Sequence, residues 1–179
     1  MKDDLGDRMK EYEGEFAKRR LDPMQPTIAR IDGRTFSKFT KGFVKPFDKL
    51  ITNAMNGTTK ALVDKTHADI GYVQSDEITL IWREQENPES SMFFDWREQK
   101  LVSVLASMAA AEFNWFMIEG MTLEGKPHLR VKLQMTRPHF DCRVWQVPDR
   151  EEAANTLLWR AQDARRNAIS SFAQQHVPH

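Results

Sequence analysis

The chain has 179 residues, 40% hydrophobic and 29% charged, and its 26 basic and 26 acidic side chains cancel. That length supports one domain with a real core, and the neutrality argues against a protein whose whole surface coats nucleic acid, though not against a basic patch facing an acidic centre. No apolar run approaches the roughly 20 residues of a membrane span, the opening MKDDLGDRMKEYEGEF is too charged for a signal peptide, and the lone Cys142 allows neither an intramolecular disulfide nor a cysteine-rich zinc site; a soluble cytoplasmic protein with no membrane partner is expected.

Residues 4–20 suit a charged amphipathic helix, with Leu5, Met9, Tyr12 and Phe16 at helical spacing. Asp22-Pro23 and Gln25-Pro26 end it, because proline lacks a donor and clashes with the preceding turn. Thr27–Asp32 reads as a strand stopped by Gly33. Residues 34–45, RTFSKFTKGFVK, read as a loop or broken helix with Phe36, Phe39 and Phe43 turned inward. From Pro46 the period is helical, with Phe47, Leu50, Ile51, Ala54, Met55, Thr58, Ala61 and Leu62 on one face and Gly57 a weak point. Asp69–Ser75 and Ile78–Trp82 read as strands around Ser-Asp-Glu, and Asn87-Pro88 as a turn. Residues 95–117 form an apolar, alanine-rich helix expected to be mostly buried. EGMTLEGKPH is a loop, or a small hairpin with Leu129–Met135. Phe140–Val147 is a further strand, and Pro148-Asp149 starts a last helix, where Leu157, Leu158, Ala161, Ala164, Ala168, Ile169 and Phe172 make one stripe.

The order β-α-β-β-α-β-α predicts an α+β fold: a ferredoxin-like βαββαβ core with an antiparallel sheet, flanked by N- and C-terminal helices, as one domain over residues 1–179. In that topology the first and third strands are central neighbours. Asp32 ends the first strand, and Asp76 and Glu77 sit in the hairpin leading to the third, so carboxylates distant in the chain meet in space. Two carboxylates about 4 Å apart repel, and one takes up a proton unless a cation lies between them. Mg²⁺ suits such a pair, since it prefers oxygen ligands and retains waters and substrate phosphates. Gly33 lets the backbone approach a phosphate or offer its carbonyl to the metal. Taken singly, Asp32-Gly33 and Ser75-Asp76-Glu77 are equally well read as turns. Arg34, Lys38, Lys41 and Lys45 lead into a helix start and read either as a triphosphate cradle or as a solvated loop. The five histidines show no metal-ligand spacing and read as structural or exposed.

At these residues the chain resembles the tRNA-histidine guanylyltransferase superfamily, the 3′–5′ nucleotide polymerases. RIDGRTFSKF, GFVKPFD, IGYVQSDEITLIW, KLVSVLASMAAAEF and HFDCRVW stand in the family's order, and the likeness runs from about Leu5 to Gln175. It implies a polymerase-type palm and a Mg²⁺-dependent nucleotidyltransferase that extends tRNA 5′ ends. In that chemistry ATP activates the 5′-phosphate, and the 3′-hydroxyl of an incoming nucleotide then attacks it. By the same resemblance Asp32, Asp76 and Glu77 would be catalytic, and Asp32, Asp76 and the Gly33 carbonyl would hold two Mg²⁺ ions. Arg34, Thr35, Phe36, Ser37, Lys45, Ser75 and Lys100 would bind ATP, GTP or another NTP. Arg30 would meet phosphate or RNA, while Asp48, Asp69 and Asp141 receive no catalytic role. On the last helix Arg160, Arg165 and Arg166, with Asn167, read either as contacts to RNA phosphates or as an exposed basic face.

Two departures qualify the likeness. The eukaryotic His-Ile-Asn-Asn-Leu-Tyr-Asn block is here Arg165–Ser171, with only Asn167 matching, which is similar to the bacterial, archaeal and phage guanylyltransferase-like branch. Templated 5′-end repair therefore stands beside G addition to tRNA-His. The family usually continues past this helix, so part of its C-terminal helical region is expected to be missing. A homotetramer or dimer of dimers is expected if that loss permits. Two alternatives remain: a non-catalytic nucleotide- or RNA-binding homologue, and a palm-fold nucleotide cyclase, against which the absence of a Gly-Gly-Asp-Glu-Phe hairpin argues.

Overall fold

In the computed structural model, residues 4–87, 93–126 and 128–176 are described. Pro88 of the expected Asn87-Pro88 turn, Pro127, the Phe16 side chain and the chain end fall outside that description. Helix α1 covers Asp4–Ala17 rather than reaching residue 20. The segment after it is taken into backbone pairing instead: Leu21 N–H bonds to Trp96 O at 3.0 Å, and Glu98 N–H to Arg19 O at 3.1 Å.

Strand β1 runs Thr27–Arg34, through Gly33 rather than stopping there. Its last residues are held by β4 (His139–Gln146), in the pairs Gly33 with Phe140 and Arg34 with His139. A four-residue helix α2, Phe36–Phe39, follows. Helix α3 begins at Lys49, not Pro46, and ends at Thr66. The reason is its cap: Asp48 Oδ1 accepts from Leu50 N–H at 2.9 Å and Oδ2 from Val44 N–H at 3.0 Å. Phe47 therefore lies outside the helix and is exposed rather than part of its apolar face.

Strands β2 (Ile70–Gln74) and β3 (Glu77–Trp82) form a hairpin whose two-residue turn is Ser75-Asp76. The sheet order is β2-β3-β1-β4, antiparallel throughout. It is the expected ferredoxin-like arrangement, with β1 and β3 central. After a short 3-10 turn at Phe93–Trp96, α4 covers Glu98–Leu123. By length and composition α4 could cross a membrane. Only its Leu101, Leu105, Ala109, Phe113, Met117 and Met121 stripe is buried in the core, so the helix is not mostly buried as expected, and Trp115 and Leu123 are exposed.

The hairpin expected at Leu129–Met135 is absent; His128–Thr136 is helix α5. Leu129, Val131, Leu133 and Met135 alternate in sequence and so imitate a strand. The helical period puts Leu133 and Leu129 against the core and leaves Val131 and Met135 outside. Helix α6 spans Arg150–His176, and Asp149 Oδ1 accepts from Glu152 N–H at its start. Its expected apolar stripe is largely uncovered: Leu158, Ile169 and Phe172 are exposed.

Helices α3 and α4 cover one sheet face, meeting Ala29, Ile31, Ile78, Leu80 and Trp82. Gly57 is where these helices approach, since a Cβ there would lie 2.9 Å from the Phe116 ring. Phe36, Phe39 and Phe43 point inward as expected, and Phe36 stacks 5.2 Å from both Phe113 and Phe140. The start of α6 packs on the opposite face, where Ala153 meets Ile28 and Ile81.

Candidate active site

Opposed residues of antiparallel strands share a face, so the register lays out the face beneath α6 in rows. Ile70, Ile81, Ile28 and Trp145 form an apolar row under the first turns of α6. Tyr72, Thr79, Arg30 and Arg143 follow, then Gln74, Glu77, Asp32 and Asp141. The acidic row stands at the strand ends, beyond the region α6 covers first. Asp141 was missed by sequence reading as a member of this row. Its alternation with Arg143 in HFDCRVW carried the face assignment, but only the β1–β4 register puts it opposite Asp32.

Asp76 joins this row from the hairpin turn. Its backbone carbonyl accepts from Gly33 N–H at 3.0 Å, which ties the tip of the hairpin to the end of β1. Ser75 takes a left-handed φ of 51° at that tip and donates its hydroxyl to Asp76 Oδ1 at 3.1 Å. A Cβ on Gly33 would lie 2.3 Å from the Phe36 ring. Glycine is required there because β1 runs directly under the aromatic anchor of α2.

Burial raises the Asp32 carboxyl above its usual range, and the charges of Asp76, Glu77 and Asp141 raise it further, against a smaller opposing effect from Arg143. Burial likewise raises Asp76, although its own N–H and the Ser75 hydroxyl favour the anion. Two carboxylates held where ionisation is unfavourable are a fit for a hard cation. Oxygen donors from Asp32, Asp76 and the Gly33 carbonyl match Mg²⁺ chemistry. Among the described residues no three His, Cys, Asp or Glu side chains gather closely enough to enclose a metal by themselves. A sparse donor set of this kind suits Mg²⁺, which keeps waters and takes ligands from substrate phosphates.

Two clefts flank α2. One, of about 830 Å³, is lined by Phe36, Ser37, Lys45, Asn56, Ser75 and Asp76, with Ser171 and Gln174 of α6 at its edge. The other, of about 600 Å³, lies between α2 and α5. The expected nucleotide residues divide between them: Phe36, Ser37, Lys45 and Ser75 line the first, Arg34 and Thr35 the second. Lys100 lines neither, and its ammonium stands 5.8 Å from the Phe94 ring centre. Asn56 and Gln174 gave no sequence signal, since each lies on a helix with no motif around it, and Ser171 closes the stretch where the family's block is replaced.

Glu77 is 8% and Arg160 7% exposed. Arg160 Nε and Nη2 each donate to one Glu77 oxygen at 2.7 Å, and Gln74 Nε2 donates to Oε1 at 3.0 Å. Asp163 lies 3.1 Å from Arg160 Nη2, and the Trp159 ring centre 4.5 Å from its guanidinium. Burial works against the Arg160 charge, but Glu77 and Asp163 outweigh it and hold the guanidinium firmly protonated. Arg160 is thus turned into the sheet, not out along an exposed helix face as the sequence suggested. Arg165 and Asn167 are exposed, and Arg166 pairs with Asp163 at 2.8 Å. Arg30 carries its guanidinium between the Trp145 and Trp159 rings, at 6.0 and 5.6 Å.

The family model described as "Thg1: tRNAHis guanylyltransferase" matches residues 6–148. A solved bacterial tRNA(His) guanylyltransferase (Thg1)-like protein in complex with GTP is 39% identical, with a TM-score of 0.84, over 98% of this chain and 78% of its own. The tRNA(His) guanylyltransferase of Schizosaccharomyces pombe is 32% identical over 90% of this chain, and a protein of Acanthamoeba polyphaga mimivirus 30% identical over 94%. The chain spans 56% and 62% of those two relatives' lengths. With its palm-type sheet, and with a match over most of its length, the chain belongs to the tRNA(His) guanylyltransferase (Thg1) family.

Proposed function

We propose that this protein is a Mg²⁺-dependent 3′–5′ nucleotidyltransferase that adds nucleotides to the 5′ end of tRNA. The observation that carries this is the meeting of Asp32 and Asp76, both disfavoured as anions, beside a cleft lined by Lys45, Ser37 and Ser75. GTP and ATP occupy solved complexes of the bacterial relative, and either nucleotide is proposed as a ligand of this cleft.

In the proposed chemistry the RNA 5′-phosphate attacks the α-phosphorus of ATP, forming a phosphoanhydride and releasing pyrophosphate. The 3′-hydroxyl of the incoming nucleotide then attacks the RNA 5′-phosphorus, forming a phosphodiester and releasing AMP. The pyrophosphate left on the new 5′ end is removed afterwards. Asp32, Asp76 and the Gly33 carbonyl would hold two Mg²⁺ ions, which when bound neutralise phosphate charge and lower the barrier to in-line displacement. Lys45, Ser37 and Ser75 orient the triphosphate. Glu77 acts through Arg160, fixing the hairpin against α6 and keeping a third negative charge from competing for the cation. Cytoplasmic residence and assembly into a homotetramer or dimer of dimers are part of the same proposal.

The test uses 5′-labelled tRNA-His lacking its first nucleotide, beside a second tRNA truncated in the same way, with ATP, Mg²⁺ and each NTP singly. Extension of both RNAs by the nucleotide complementary to the acceptor strand establishes templated repair. G addition confined to tRNA-His establishes the specific guanylyltransferase. No product from either RNA, with nucleotide still bound, refutes the proposed activity.

A further inference from the structure

The cleft between α2 and α5 is not explained by a nucleotide bound at Asp76, because α2 stands between the two clefts. Its walls are Arg34, Lys38, His128 and Lys132, with Phe39, Val131, Met135 and Pro138 between them, and no acidic side chain lines it. Among the described residues, neither Arg34, Lys38 nor Lys132 has a carboxylate partner within 4.0 Å. Elsewhere on this neutral chain, Arg19, Arg20, Lys65, Arg83 and Arg150 each hold one. The Lys132 ammonium stands 5.1 Å from the Phe43 ring centre, which fixes its stem against the aromatic cluster. Uncompensated cations gathered in a concave site raise the local positive potential and favour a polyanion.

Position supplies the rest. Arg34 lines this cleft and stands two residues beyond Asp32, on the same sheet face, opposite His139. The first cleft reaches the carboxylates through Asp76 on the other side of α2. The proposed reaction joins two polyanions at one metal site; one cleft reaches that site at Asp76, and the other is bounded by Arg34, two residues along the strand from Asp32.

We propose that the α2–α5 cleft binds the sugar–phosphate backbone of the RNA strand whose 5′ end is extended, through Arg34, Lys38 and Lys132. The apolar wall of Val131, Met135 and Pro138 lies against ribose or a base edge. RNA is taken as the polyanion on the strength of the proposed function, and a free nucleoside triphosphate shares its phosphate chemistry.

The test measures binding without catalysis. A 5′-monophosphorylated acceptor-stem RNA hairpin is titrated with wild type, Lys38→Gln/Lys132→Gln and Lys38→Arg/Lys132→Arg across a salt series, with nucleotide absent. GTP affinity is measured in parallel, and circular dichroism confirms each fold. The glutamine pair should weaken RNA on the order of tenfold and lower the salt slope by about 1.5–2, leaving GTP affinity unchanged. The arginine pair should restore both RNA quantities. RNA affinity and slope unchanged in the glutamine pair overturns the cleft, whatever the wild type catalyses. A fall in GTP affinity equal to that for RNA also overturns it, in favour of a free triphosphate. If the wild type adds no nucleotide yet the RNA result is as expected, the cleft stands and the proposed activity falls.

Discussion

Asp32 shows how a functional side chain is held at a cost to the fold. Its carboxyl is raised by burial and by three neighbouring carboxylates. The unfolded chain ionises at lower pH than the metal-free folded chain, so the anion at neutral pH opposes folding. The metal-free protein should gain stability as pH falls through the raised folded value, and the gain should level off near the unfolded value. Asp32→Asn removes the charge while keeping the shape. It should abolish nucleotide addition and raise the metal-free melting temperature by about 2–4 °C for each kcal/mol of repulsion relieved. Calorimetry without divalent ions checks this, and Mg²⁺ should stabilise the wild type more than the variant. Gly33→Ala should act oppositely. Its Cβ meets the Phe36 ring at 2.3 Å, so the ring must leave its stack with Phe113 and Phe140. Overpacking of this kind costs about 1–3 kcal/mol, to be read as a lowered urea midpoint. Burial, with some help from Asp141, pushes the Cys142 thiol up to about 12. At pH 8 it should resist iodoacetamide in the folded protein and react once urea unfolds it.

At the scale of elements, α6 depends on a charge pair as well as on apolar contact. Removing one member of a buried pair leaves the other uncompensated, at about 3–5 kcal/mol. Arg160→Ala should therefore loosen α6 and raise amide exchange along it well beyond any change in α3 or α4. Glu77→Leu/Arg160→Met should recover much of that stability, because apolar replacement of both partners avoids the desolvation cost. Much of this architecture was legible in the sequence. Strand alternation and helical period placed β1 to β4, α3 and α4, and topology brought Asp32 to Asp76. Other features were not legible, for separate reasons. Leu129–Met135 satisfies both periods, and only packing chooses the helix. Gly33 looked like a strand end because its partner, Phe140, is remote in sequence. Arg160 looked like one of several exposed cations, and nothing local to α6 reveals a carboxylate 83 positions away.

On the scale of the whole molecule, α1 and α6 are among the helices that leave apolar side chains uncovered: Leu5, Met9 and Tyr12 on α1, and Leu158 and Ile169 on α6. Such faces favour self-association, in keeping with the proposed homotetramer or dimer of dimers. Sedimentation should show a concentration-dependent assembly, and Leu158→Glu/Ile169→Glu should shift it toward the monomer. A monomeric wild type at tens of micromolar would count against assembly through these faces.

Helix α2 has only four residues, yet it stands as a partition, held by Phe36 and Phe39 in the aromatic cluster. With ATP and RNA approaching from opposite sides, as proposed, neither has to pass through the other's space. Order of addition should then be free. Initial rates of the activation step, measured against ATP at several fixed levels of RNA, should give intersecting lines, and either of the two, chased after preincubation alone, should be committed to adenylylated RNA.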